Sequence, residues 1–350
     1  MLFVSPAFAK KFKCLADACT DSCCVGWEIG IDDATLGSFD SLDGELGKRL
    51  REHVERREDG AVFRLECDGR CPFLDARGLC DIIKEKGECS IPEICREHPR
   101  YYNVLGDRVE WGLGLSCEEA ARLILECRDI REACESEHEH EGTELDGELT
   151  SFITFSRDES LKLLYESKLC LFERLAELLY YAEGCDCAIE ERAFGAFYPA
   201  FPLTIREKLD TGMGLHGFSG IFTLFSEMDF MNEKFGKRLT DMAKDCGRIP
   251  MPDGNSESLI IRLVAYFIHR YFITAAFDEQ VTSKVKFAII SALVIYALIG
   301  NGKDLTEWIN AAKAYSKEME YNEDNRDLFF EMCYTEKELS TSSITSILTD

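Results

Sequence analysis

Twelve of the seventeen cysteines lie between Cys14 and Cys134, and the remaining 216 residues hold only five. Such a distribution constrains the fold early, because clustered thiols become crosslinks in an oxidising compartment and soft metal ligands in a reducing one. The first thirteen residues offer a short apolar piece ahead of Lys10 and Lys11, with no basic stretch before it. That is too little for the ~7–15-residue apolar region of a secretory leader, so a cytoplasmic protein with reduced thiols is expected. The odd cysteine total agrees with metal binding better than with a disulfide scaffold.

The chain divides by composition. Residues 135–148 are charged and without apolar periodicity, and they read as an acidic linker. The fold class expected is mainly α, with a loop-rich mixed α+β cysteine-cluster domain over 1–134 and a helical bundle over 149–350. In the first part, Val25-Gly-Trp27-Glu-Ile29-Gly-Ile31 alternates as a half-buried strand does, and residues 62–66, 101–105 and 108–111 also read as strands. Leu46, Leu50 and Val54 recur at helical spacing and predict a helix over 44–57. Ser90-Ile-Pro-Glu93 and Ser116-Cys-Glu-Glu119 read as capping boxes, the first opening a short helix that ends at His98-Pro99. Further on, helices are predicted over 160–181, 220–245, 257–277, 283–299, 304–319 and 325–336. Cys170, Cys246 and Cys333 read as small buried hydrophobes there, and Cys185 and Cys187 as part of a connector.

Several function classes are disfavoured. A net charge of −25 with no basic stripe works against nucleic acid, whose phosphates demand clustered Lys and Arg. The longest charge-free apolar run, residues 287–300, is shorter than the ~20 residues a membrane span needs. Cys19-x3-Cys23 begins a radical-type C-x3-C-x2-C motif, but Gly26 stands where the third cysteine belongs. Gly212-Met-Gly214-Leu-His-Gly217 has glycine-loop spacing, yet the charged 206–210 precedes it instead of a buried strand, so it reads as a turn. His138 and His140 read as part of the acidic linker.

The cysteines at 14, 19, 23 and 24, then 71 and 80, 95 and 117 show neither of the paired C-x2–4-C hooks usual for structural zinc. Wider separations suit an iron–sulfur cluster held by four thiolates, with zinc as the alternative. Spacing does not say which four ligate. Cys117, at a predicted helix N-terminus, would gain thiolate character from the helix dipole.

These cysteines and their neighbours resemble the flagellin lysine-N-methylase (FliB) family, a branch of the larger cysteine-cluster proteins described as zinc- or iron-chelating. The resemblance covers residues 6 to about 125. It runs through Pro6-Ala-Phe8, Phe12-Lys-Cys14, Ala18-Cys19, Cys23-Cys24-Val-Gly-Trp27-Glu-Ile29 with Asp32, Cys71-Pro-Phe-Leu-Asp75 with Leu79-Cys80, Cys95 with Pro99-Arg100, and Leu113-Gly-Leu-Ser-Cys117. His98 replaces the family's usual aromatic residue, and Cys67, Cys89, Cys127 and Cys134 are additional. The resemblance implies methyl transfer from S-adenosylmethionine to lysines of flagellin by a protein with a 4Fe–4S cluster. It marks Cys14, Cys19, Cys23, Cys24, Cys71, Cys80, Cys95 and Cys117 as metal candidates. Trp27, Arg100 and Tyr101 then fall near the cofactor and substrate, where an indole face attracts a cationic amine and a guanidinium can clasp a carboxylate. The other reading open at this stage is a metal-binding or electron-transfer protein without methyl transfer.

Overall fold

Seven short strands organise the first 137 residues: β1 (Leu2–Pro6), β2 (Gly30–Ile31), β3 (Val54–Arg57), β4 (Gly60–Phe63), β5 (Arg100–Leu105), β6 (Arg108–Leu113) and β7 (Ala133–Glu137). Helices dominate the described residues after them, so the chain is mainly α with a mixed N-terminal part. The structure, a computed structural model, describes residues 1–58, 60–137, 142, 144–195, 217–244 and 249–349. His138, His140, Cys246 and all of the glycine motif but Gly217 lie outside the described residues. Two compact units result: one from Lys13–Tyr101 with Cys117–Glu119, the other from Met1–Phe12, Tyr102–Ser116 and Ala120–Asp350.

The smaller unit is built on an antiparallel sheet of order β2-β4-β3. Its inner face gives Ile29, Ile31, Ala61 and Phe63 to a core completed by Leu46 and Leu50 of the helix Gly44–His53 and by Phe73 and Ile82. The helical spacing of Leu46 and Leu50 was legible, but the helix stops at His53 and Val54 enters β3. The alternation over Val25 to Ile31 yields only two residues of ladder. Gly26, at φ +93°, turns the chain so that its N–H meets Gly69 O at 3.0 Å, which pulls the preceding residues away from the sheet. Ser90 does not cap a helix. Its hydroxyl donates back to Lys86 O, and the helix Glu93–Glu97 starts after Pro92 and closes at His98.

The larger unit carries a sheet of order β5-β6-β1-β7, in which β1 runs parallel to β6 and antiparallel to β7. Glu135 to Glu137, read from sequence as linker, are the end of β7 and pair with Leu2 to Val4. Charge on an outer strand is compatible with a ladder, because one edge of that strand has only water to face. Ser116, read as a cap, is buried with its hydroxyl unbonded among the described residues, and the helix Glu118–Glu126 begins two residues later.

The predicted helix over 160–181 is two helices, Gly147–Glu166 and Leu171–Glu190. No Gly or Pro makes this break. Glu173 and Cys170 form a capping box, and Arg174 donates to Leu164 O at 3.0 Å and Leu169 O at 2.8 Å, satisfying helix-end carbonyls. Cys170 is therefore an exposed cap and not a buried hydrophobe. Cys185 and Cys187 lie within a helix, the first buried and the second exposed, whereas Cys333 is buried as expected. Helices Gly254–Tyr271 and Val281–Ile299 form the middle of this unit, the second buried along almost its whole length. The stretch Gly254–Asp278 and the helix Val281–Ile299 are long and apolar enough to cross a membrane, yet 78% and 89% of their most apolar 18-residue windows are buried.

Between β6 and these helices sits a buried polar group. Arg157 pairs with Glu110, Arg108 Nε donates to Glu110 at 2.8 Å, and His269 is buried beside them. Burial first, and then Arg157, push the His269 imidazole from 6.5 down to about 4. A histidine kept neutral in the fold but free to protonate when unfolded stabilises fully above pH ~6.5 and less as pH falls toward 4, on the order of 3 kcal/mol in all. Thermal midpoints followed from pH 7 to 4.5 should fall less steeply for His269→Gln than for the parent. Parallel curves would exclude the histidine as a source of acid lability.

Candidate metal centre

The small unit's core is where the cysteines meet. Cys71 belongs to it, and Cys24, Cys80 and Cys95 pack against it. Cys71 N–H donates to Cys24 O at 2.8 Å, fixing the double-cysteine loop to the second cysteine segment. Cys23 Sγ lies 4.0 Å from Cys24 Sγ. Burial raises the Cys71 thiol to about 11, with further upward pressure from Cys80 and Cys23. It raises Cys95 to about 12, where Cys71, Cys23 and Cys80 push in the same direction. Cys80 is raised as well, again chiefly by burial. Cys71 and Cys95 each feel the charge of the other clustered thiols, Cys71 that of Cys80 and Cys23, and Cys95 that of Cys71, Cys23 and Cys80, so soft donors from three chain segments come toward one core.

Two carboxylates hold those segments. Asp75, in Cys71-Pro-Phe-Leu-Asp75, accepts from Arg77 N at 2.8 Å, Leu79 N at 2.9 Å and Lys84 Nζ at 2.8 Å, and these contacts keep it ionised far below the usual carboxylate range. The loop between Cys71 and Cys80 is thus folded around one side chain. Arg49 reinforces it, donating to Pro72 O and Asp81 while lying over the Phe73 ring. Asp32 joins the third segment: it accepts from Thr35 N and from Glu93 N, both at 2.9 Å, so the helix carrying Cys95 starts on the same carboxylate that caps the helix Asp33–Ser41. The Glu93 contact is the largest influence holding Asp32 below its ordinary pKa. Asp32→Ala removes two caps at ~0.5–2 kcal/mol each and should lower stability by about 1–4 kcal/mol in urea titration. A loss below ~0.5 kcal/mol would mean the Cys95 segment is held otherwise.

The remaining candidates have other company. Cys14 is exposed and its sulfur accepts from Ala16 N at 3.4 Å. Cys19 Sγ faces Glu118 at 3.7 Å, and Thr20 N–H meets the same carboxylate at 3.0 Å. Glu118, which the sequence offered only as part of a cap, ties the Cys19 loop to the segment of Cys117. Cys117 is half-buried immediately before the helix Glu118–Glu126. Trp27 donates from Nε1 to Cys23 O at 2.7 Å and sets its indole against the His98 ring at 6.0 Å. Hence His98, where the resembled family has an aromatic residue, still serves as a ring surface. Arg100 and Tyr101 open β5, both half-buried. Of the additional cysteines, Cys67 and Cys89 are exposed and Cys127 and Cys134 half-buried.

Thiolate donors select soft or borderline metals. A tetrahedral zinc with Zn–S near 2.3 Å would need its sulfurs about 3.8 Å apart. Among the described residues no three His, Cys, Asp or Glu are placed closely enough to hold a metal ion as they stand. Four thiolates could serve a single soft ion or a polynuclear iron–sulfur group alike. Their raised pKa values are those of neutral thiols in an apolar wall, and ligation would need the group's positive charge to displace the protons.

Comparison with known proteins agrees in part with the family resemblance. Over 126 residues, 34% of its length, the chain is 30% identical to proteins named lysine-N-methylase from Salmonella typhimurium and Salmonella choleraesuis. It is 29% identical over an equal stretch to the flagellar biosynthetic protein FliU of Salmonella muenchen. The matches span 31% of each lysine-N-methylase and 75% of the FliU protein. No family model matches the chain, and no solved structure does.

Proposed function

We propose that the protein is an S-adenosylmethionine-dependent protein-lysine N-methyltransferase of the cytoplasm that carries a 4Fe–4S cluster and acts on flagellin. The observation that carries this reading is the similarity to lysine-N-methylases, together with the cysteines that lie in or against the small unit's core. The similarity to a protein named for flagellar biosynthesis supports the flagellar substrate. Cys23, Cys71, Cys80 and Cys95 would hold the cluster, which supplies a rigid multivalent anchor to a loop-rich unit.

Methyl transfer to an amine is a displacement at a sulfonium carbon. The nitrogen lone pair forms the new N–C bond, the C–S bond breaks onto sulfur, and one proton leaves the amine. It requires a neutral lysine, whose ordinary pKa is ~10.4, so the protein must desolvate the ammonium or accept its proton. The Trp27 indole, fixed by its bond to Cys23 O, offers a face for the incoming side chain. Arg100 is assigned to the donor's carboxylate. The test is mass spectrometry of purified flagellin after incubation with the protein and S-adenosylmethionine. Methyl increments on lysines that need both components are expected. Unmodified flagellin, with no donor binding by calorimetry, would leave a metal-binding or electron-transfer protein.

A further inference from the structure

The outer face of the small sheet carries a cleft of about 510 Å³ that the cysteine site does not use. Ile31 turns inward to the core, so Gly30 faces outward on β2, and Glu28 and Asp32 on either side of that strand line the cleft with it. Gly30 pairs with Val62, which shares that outward face, and the cleft is closed on one side by Glu93 and Ile94 and on another by Arg57. Glycine at an outward strand position weakens the strand and commonly marks the close approach of another backbone or a ligand. Here its space is open: a Cβ built on Gly30 meets nothing within 4 Å, and its φ lies outside the left-handed region, so no backbone demand explains the residue. Ile94 is 56% exposed at the rim.

The charges select the visitor. Arg57 is already engaged by Glu28 at 2.5 Å and Glu55 at 2.9 Å, two carboxylates against one cation. Asp32 is committed to two backbone N–H groups. Glu93 adds a carboxylate with no side-chain partner among the described residues. A cleft with an apolar floor, a missing side chain and surplus negative charge fits an extended polypeptide that places a lysine beside small residues.

We infer that this cleft is a docking groove for a lysine-bearing segment of the protein substrate, separate from the point of methyl transfer. This rests on the reading of the protein as a protein-lysine methylase, and the test is made without methyl donor so that the two stand or fall apart. The probe is a fluorescein-labelled nonapeptide of alanine and serine with two lysines, compared with its norleucine counterpart. Anisotropy is read with the full-length protein at about 0.15 M salt, where distant surface charge is largely screened. The lysine peptide is expected to bind the parent more tightly than the norleucine peptide. Gly30→Phe, which fills the cleft without changing charge and suits a strand, is expected to weaken it about tenfold, and Glu93→Lys by a comparable factor.

Unchanged binding in either variant, with the parent's circular dichroism retained, would overturn the proposal, as would equal binding of the two peptides. If Gly30→Phe fails to fold, Glu93→Lys on the exposed rim decides alone. A change in sedimentation on Gly30→Phe with peptide binding intact would assign the cleft to a second copy of the chain and also overturn it. Lysine-selective binding without any methyl transfer would leave the groove standing and the methylase reading fallen.

Discussion

Replacing Glu320 with alanine should destabilise the larger unit by about 3–5 kcal/mol, the usual result of removing one partner from a buried ion pair. Glu320 is buried, and its Oε1 accepts from Arg270 at 2.8 Å, Tyr266 at 2.8 Å and Tyr271 at 3.0 Å. Its loss strands a guanidinium that is 11% exposed and leaves two phenols short of an acceptor. The same nest touches the segment before Cys117. Leu115 N–H donates to Tyr266 Oη, and a Cβ on Gly114 would collide with the Tyr321 hydroxyl. Tyr266→Phe, which keeps the charge pair, should cost nearer 1 kcal/mol. Guanidinium titration of both variants is the measurement, and similar losses for the two would show that the ion pair contributes nothing beyond a hydrogen bond.

The second large effect is expected at the thiols. Cys71→Ser and Cys95→Ser should each lower bound iron on the order of tenfold or more, since a hydroxyl is a harder and much weaker partner for the metal than a thiolate. Cys71 belongs to the small unit's core and Cys95 packs against it. Cys187→Ser, exposed on a helix of the other unit, is the control and should retain full metal. Iron unchanged in the Cys71 and Cys95 variants would remove them from the ligand set.

Much of this was legible in the sequence, and what was not has identifiable causes. The long helices show themselves by period, and Leu305–Met319 and Glu323–Thr335 fall within two residues of expectation, because each is opened by a side-chain cap, Asp304 or Asn322. β1 and β7 escaped: neither has apolar alternation, and each exists only because distant residues pair. At the site, the family resemblance marked eight cysteines as metal candidates. That Cys71, Cys80 and Cys95 meet at one core with Ile29 and Phe63 is tertiary information that spacing does not carry. The two organising carboxylates did leave a trace. Asp32-Asp-Ala-Thr35 is a cap followed by a helix, and Asp75 sits four residues before Leu79, whose N–H it accepts. Glu118 left none, since its partners Cys19 and Thr20 are remote in sequence.

Anaerobic purification followed by determination of iron, acid-labile sulfide and zinc, with absorbance near ~400 nm, addresses the thiol site directly. Roughly four irons and four sulfides per chain are predicted, as four thiolates holding one cubane would give. Stoichiometric zinc with neither iron nor sulfide would contradict the cluster and make the four cysteines a structural staple.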